Sequence, residues 1–368
     1  MTRPIQTWIS LIILTTFVSC KTDSENNQSL QSYKDKAFTE FFRCKSGWTA
    51  GDGALSVPLT DGRVLWLFGD SHINDYDPVT GTLPCLFQVR NAAMLHDKDD
   101  LQHPRTLLGT QPGDKSFFKH PTNDKLWFWP SAGFQNEDTV YVYLTALRQA
   151  GAGTFGFKSV GHYFARIKFP EMEVAGYVAL PDFNGIDFGC GFVEDKLNDY
   201  TYAFGSKGVH LGNHLYVARF QTTNPGTNWT YWDGKDWTPN VVQAAIIANA
   251  ASTSMSVCKV KGKYLLTSSA FSIRCDMGKE IYISTSDSPT GPFSTRQKIF
   301  TLDDTVRGHY PFFYLPVAHP EFINYKNELL VTYSINGYEP CLKSCVKGRT
   351  KPDHYRPKAI RVPLQLIN

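Results

Sequence analysis

Short bursts of apolar residues, punctuated by Gly, Pro, Asn and Asp, run the length of this chain, and a 3.6-residue apolar period is almost nowhere sustained. Residues 64–68, 140–144, 200–204, 215–219, 264–267, 281–284 and 329–333 are rich in Val, Ile, Leu, Tyr and Phe, a composition that suits a pleated, packed surface. Each is predicted to be a strand. The strands recur in a unit: an aromatic-rich turn, a strand, a polar hairpin turn such as Thr60-Asp61-Gly62-Arg63 or Lys261-Gly262-Lys263, and a second strand. Five such units fall near residues 47–97, 118–170, 182–222, 250–296 and 310–366, a spacing of roughly 45 to 65 residues that suits propeller blades with variable loops. The prediction is an all-β chain folded as a five-bladed β-propeller. Scarce helix disfavours an α/β barrel, and a two-sheet sandwich, the competing architecture, normally needs fewer strands.

The N-terminus departs from this pattern. Arg3 supplies a positive charge, residues 8–18 form an apolar run too short to span a bilayer, and Ser19-Cys20 follows. Phe17-Val18-Ser19-Cys20 resembles a lipobox, in which the Cys becomes the first mature residue and carries the lipid; an ordinary secretory signal with an incidental Cys is the alternative. Residues 21–36 are polar, of both charge signs, and read as a flexible tether. The expected organisation is a signal peptide over 1–20 ending at the lipidated Cys20, a tether over 21–36, and the propeller over 37–368. This places the domain in the bacterial cell envelope, held to the outer membrane through its N-terminal lipid and either periplasmic or surface-exposed, with Asp23 and Glu25 pointing to display on the outer surface.

Net charge is +3 with 19% charged residues, so no broad basic field exists to hold phosphates, and nucleic acid is not expected as a partner. Aromatic residues make up 14%, a surplus that suits stacking on sugar rings and, equally, dense β packing. Trp127, Trp129, Trp229, Trp232 and Trp237 are the stacking candidates, although residues 229–237 alternate like a hairpin around Asp233-Gly234, so packing accounts for that group. Of the eight Cys, seven remain if Cys20 is lipidated, an odd number. An exported chain is free to form disulfides; Cys258 with Cys275 and Cys341 with Cys345 are the local candidates, and at least one thiol must stay unpaired. No CxxC pair or matching His spacing points to a metal site.

Candidate chemistry concentrates in the first unit. Trp48-Thr49-Ala50-Gly51-Asp52-Gly53 opens one strand of a hairpin, and the returning strand delivers Gly69-Asp70-Ser71-His72. Antiparallel pairing brings such distant ends together, so Asp52 and Asp70 are expected to be neighbours. Glycine on both sides of Asp52 lets a ligand approach the backbone. Paired carboxylates are what glycosidic cleavage requires: one protonates the leaving oxygen, while the other attacks the anomeric carbon or activates water. Asp beside Gly also caps turns, which is the bland alternative.

The stretches Trp48-Thr49-Ala50-Gly51-Asp52-Gly53 and Leu65-Trp66-Leu67-Phe68-Gly69-Asp70 resemble the opening signature of a bacterial group of exported, five-bladed-propeller glycosidase-like domains, one branch of which is glycoside hydrolase family 183, endo-D-arabinanases. Residues 281–293, with Ser-Asp-Ser-Pro-Thr-Gly-Pro, and Ala318-His319-Pro320-Glu321 are further echoes, so the resemblance spans nearly the whole of 37–368. It implies that Asp52 and Asp70 are the catalytic pair. Ser71-His72 stands where a Thr-Phe-like pair is common, which bears on the substrate more than on the reaction type.

The substrate-binding candidates are Trp48 and His72 beside the aspartates, Arg90 and Asn91 after a strand, and Asp187 in a turn-rich blade entry. Glu280 joins them as a third carboxylate beneath the pair, and His319 and Glu321 at a funnel mouth. Each has a structural alternative as a hairpin, turn or core residue. No organic cofactor is indicated, and a central Ca²⁺ would leave no mark in sequence. The expected function is an exported glycoside hydrolase cleaving arabinofuranosyl or related linkages of a poly- or oligosaccharide. A carbohydrate-binding lipoprotein without turnover and an adhesion or scaffold propeller are the alternatives.

Overall fold

Successive side chains of a strand point to opposite faces, and in this chain both faces are covered. In the strand Arg63–Ile73 of the computed structural model, Leu65 and Leu67 pack with Phe128, Val140 and Val142, whereas Val64, Trp66 and Phe68 pack with Phe322, Leu330 and Ala359. That is why residues 64–68 read as an unbroken apolar run. The rule repeats round the molecule: five apolar clusters fill five seams between neighbouring sheets.

The structure describes residue 1 and residues 30–100, 102–110, 115–152, 156–209, 212–250, 254–337 and 343–367. The chain separates into two units, Met1–Leu30 and Gln31–Asn368, and every element lies in the second. The signal segment, Cys20 and most of the expected tether fall outside the described residues.

Five antiparallel sheets form the blades. From the inside outwards, blade one is Trp48–Pro58, Arg63–Ile73, Ala92–Asp97 and Arg105–Leu107, and blade two is Trp127–Asn136, Thr139–Gln149, Phe157–Lys168 and Glu173–Ala179. Blade three begins with Asp187–Asp195, Tyr200–Val209 and Gly212–Gln221, blade four with Met255–Val260, Lys263–Ser269 and Glu280–Ser286. Blade five is Phe312–His319, Glu328–Asn336, Lys358–Pro363 and, outermost, Tyr33–Lys34. The five predicted units correspond one to one with these blades. The inner strands contact one another in the order one to five, and the fifth returns to the first. Lys261 and Gly262, at φ 50° and 82°, make the tight turn expected between the first strands of blade four.

Two expectations are corrected here. Ordered structure starts before residue 37: Tyr33 and Lys34 pair with Arg361 and Ile360, and Asp35 caps the helix Lys36–Phe41, its Oδ1 accepting from Phe38 N at 2.9 Å. Phe38 and Phe41 of that helix bury against Trp66, which gives the segment the apolar purchase its polar flank concealed. The local disulfides do not form. Cys345 bonds Cys85, 260 residues away, and Cys275 is disulfide-bonded while Cys258 is free, as are Cys44 and Cys190. Cys258 turns into the seam between blades four and five, where burial pushes its thiol up. Cys341 lies outside the described residues.

Candidate active site

The two aspartates meet through a bulge. Gly51 pairs with Ser71 and Gly53 with Phe68, so Asp52 alone stands opposite Gly69 and Asp70. Two glycines of this hairpin leave space that neighbouring side chains fill. A Cβ on Gly69 would sit 2.5 Å from Asp52 Oδ1, and one on Gly51 would sit 2.5 Å from Ser71 Oγ. Similar register shifts break the inner strands of blades two, three and five near their starts. Those starts gather round one end of the channel. Tyr314 of blade five and Trp129 of blade two reach the two aspartates there, and Ser131 of blade two faces Gly189 of blade three.

Each carboxylate has its own donors. The Tyr314 hydroxyl donates to Asp52 Oδ2 at 2.8 Å, and the Tyr355 hydroxyl bonds the same carboxylate. Trp129 Nε1 donates to Asp70 Oδ1 at 3.2 Å, and Arg90 Nη1 approaches Oδ2 at 3.5 Å. Burial raises Asp52 to about 6 against the pull of the two phenols, and burial together with the Asp52 charge raises Asp70 to about 7 against Arg90 and Trp129. Asp70 is the member that keeps its proton longer. The pair thus holds one proton between two acids near neutrality, an arrangement that can give a proton at one atom and offer an anion at another.

Arg90 is brought into the site, its guanidinium lying 4.4 Å from the Trp127 ring and 5.0 Å from that of Phe87. Trp48 and His72 are not available to a ligand. Trp48 is fully buried, stacked on Phe68 at 4.2 Å, with Nε1 donating to Ser71 Oγ. His72 is 3% exposed and bonds Asp75 Oδ2 through Nδ1 at 2.7 Å. Asn91 is fully buried too, and its amide is spent on the seam to blade two.

The remaining candidates lie apart from the pair. Asp187 sits at the same end of the channel but accepts from Thr145 Oγ1 at 3.2 Å and Gly189 N at 3.1 Å. Glu280 opens the third strand of blade four, two strands out from the axis, not beneath the aspartates. His319 and Glu321 belong to the far end of the blade five inner strand. His319 is fully buried between Ser56 Oγ at 2.6 Å and Thr332 Oγ1 at 2.8 Å, and Glu321 accepts from Ser56, so they tie blade five to blade one. Trp232 and Trp237 pair across the hairpin expected of them, and Trp229 is buried. Among the described residues no group of three or more His, Cys, Asp or Glu is placed to hold a metal ion.

Sequence reasoning missed Tyr314 and Tyr355. Their signal was only aromatic excess, because what places them is the return of blade five to blade one.

A family model described as a domain of unknown function, DUF5005, matches residues 35–364. No curated protein matches the chain. Among solved structures, a "putative hydrolase" from Bacteroides ovatus is similar with a TM-score of 0.72 at 19% identity, over 91% of this chain and 92% of that one. At TM-scores of 0.47, an α-L-arabinofuranosidase from Lactobacillus brevis (13% identity, 89% and 92% covered) and an exo-1,5-α-L-arabinanase from a bovine ruminal metagenomic library (12%, 87% and 95%) are also similar. The Bacteroides likeness is one of fold; the other two are too loose to carry chemistry.

Proposed function

The chain belongs to the family described as a domain of unknown function, DUF5005, and from that footing we propose that it is a glycoside hydrolase acting on arabinofuranosyl or related glycan linkages. Asp70 gives the proton to the leaving oxygen, and Asp52 is the anion that attacks the anomeric carbon or activates water. The observation that carries this reading is the pair itself: two carboxyls across one bulge, raised to about 6 and about 7, each with separate donors. A turn-capping aspartate would instead be held low by local donors, as Asp77 is by the Thr80 hydroxyl and then the Val79 amide. The arabinofuranosyl part rests on the resemblance of residues 48–53 and 65–70 to the endo-D-arabinanase signature.

The roles set the pH dependence. Asp52 must be ionised, which is lost as pH falls through about 6; Asp70 must be protonated, which is lost as pH rises through about 7. On any glycan that the protein cuts, kcat/KM should trace a bell centred at about pH 6.5, each limb falling about tenfold per unit. The experiment is a screen on arabinans and other furanose- or pyranose-rich glycans for reducing-end release, followed by that pH profile. A rate that is flat from pH 5 to 8 would remove the pair from the mechanism. Binding without turnover on every glycan would favour a carbohydrate-binding lipoprotein.

We further propose that the domain is exported and lipid-anchored through Cys20, on the strength of the apolar run before it and the polar stretch after it. Cys20→Ala should leave a folded domain in the soluble fraction. Tight membrane association of that variant would exclude lipidation at this residue.

A further inference from the structure

Each aspartate of the pair owes one partner to a long connection between the second and third strands of a blade. Arg90 closes the connection 74–91 of blade one. Tyr355 belongs to the connection after the second strand of blade five, whose described part, 343–357, crosses the seam to reach blade one. Its course there is pinned at three places: Gly51 N donates to Tyr355 O at 2.9 Å, Arg356 Nε donates to Thr49 O at 2.7 Å, and Arg356 Nη2 donates to Cys44 O at 2.7 Å. Farther out the two connections join each other. Leu83–Pro84 pairs with Arg349–Thr350, Arg349 donates to Thr82 Oγ1 at 3.0 Å and to Thr82 O at 2.9 Å, and Cys85 is bonded to Cys345. A ladder two residues long is marginal in water on its own, so the covalent bond is what makes this junction permanent.

We propose that Tyr355 is a positioning residue which holds Asp52 as the anionic member of the pair, and that the Cys85–Cys345 disulfide fixes the cross-seam connection that delivers it. Asp52 faces Tyr314 from the blade five strand, Tyr355 from the connection, and Asp70 on its own blade, with Arg90 behind Asp70. His72, paired with Asp75, lies 6.4 Å from the Tyr355 ring. Among the described residues no cation touches Asp52 directly, so the two phenols are its main stabilising donors, ahead of a backbone hydrogen bond, and a phenol's O–H favours the charged carboxylate by bonding to it. Phenols raised by burial and by the Asp52 charge stay protonated throughout the working range.

The activity arm of the test rests on the hydrolase reading above; the titration arm does not. In protein carrying ¹³C-labelled Asp, Tyr355→Phe should move the Asp52 carboxyl titration up by about half a unit to one unit, with Tyr314→Phe doing the same. On a cleaved glycan, Tyr355→Phe should narrow the pH bell from its acid side and lower kcat by about tenfold, with KM little changed. The paired change Cys85→Ser with Cys345→Ser should reproduce part of both shifts while the blades, read by circular dichroism, stay native. An unmoved Asp52 titration in Tyr355→Phe overturns the positioning role. Wild-type titration in the serine pair overturns the part played by the disulfide. If no glycan is cut but the titrations shift, the hydrolase reading fails and the positioning role stands.

Discussion

Asp52→Asn and Asp70→Asn are each expected to lower glycan hydrolysis by at least about a thousandfold, in keeping with the two to four decades that general acid–base catalysis supplies. Both changes are nearly isosteric, so the Tyr314 and Trp129 donors keep a carbonyl oxygen to bond, and glycan binding should largely survive. Folding offers an internal control with a definite sign. A carboxyl whose folded pKa is raised from 3.8 to about 7 binds more protons in the native than in the unfolded state between those values, so its burden on stability appears as pH rises through that window. Removing the charge removes the burden. Asp70→Asn should therefore be more stable than wild type at pH 8, by about 1–3 kcal/mol, with the gain vanishing near pH 4. Parallel urea titrations and rate measurements decide it: near-wild-type turnover in either variant would falsify the assignment of that residue, and a large loss of stability at pH 8 would mean that activity fell for another reason.

Asn91→Ala should be the most damaging polar substitution for the fold. Asn91 Nδ2 donates to Phe118 O and Phe128 O, both at 2.9 Å, and Oδ1 accepts from Phe118 N at 2.7 Å, all without solvent. One side chain thus satisfies three backbone groups from the far side of the blade one–two seam. Alanine leaves all three buried and unpaired, which costs about 3–5 kcal/mol. A urea midpoint lowered by less than that of 1 kcal/mol would show that water enters the seam instead. In the folded fraction KM for a cleaved glycan should be unchanged, because the amide does not face the channel.

The blades were legible because strand and hairpin chemistry is local. Residues 64–68 announce a strand buried on both faces, and Lys261-Gly262 announces its turn, without reference to anything distant. Asp52 and Asp70 were legible for the same reason, since one hairpin contains them both. What could not be read was whatever crosses a seam. His319 looks like a funnel residue until Ser56, 263 residues away, takes its Nδ1. Tyr314, 262 residues from Asp52, carries no spacing that could mark it. The disulfides misled for a related reason: Cys341 and Cys345 are close along the chain, but Cys345 is turned towards another blade's connection.

The pairing of Tyr33–Lys34 with Ile360 and Arg361 has a consequence for synthesis. A chain that emerges N-terminus first can assemble blades one to four from segments already present, but its last blade must wait for residues near its own end. The loop to be closed is nearly the entire domain, and such non-local closure is slow. Until it happens, the face of blade one that carries Val64, Trp66 and Phe68 has only the nearby Phe38, Phe41, Phe42 and Trp48 against it, since Phe322, Leu330 and Ala359 of blade five come later in the chain. A late-covered apolar face is the kind of surface on which nascent chains aggregate. For this protein the vulnerable interval runs from the first hairpin to the final strand, and a holdase that binds exposed aromatic segments would find its target near Trp66.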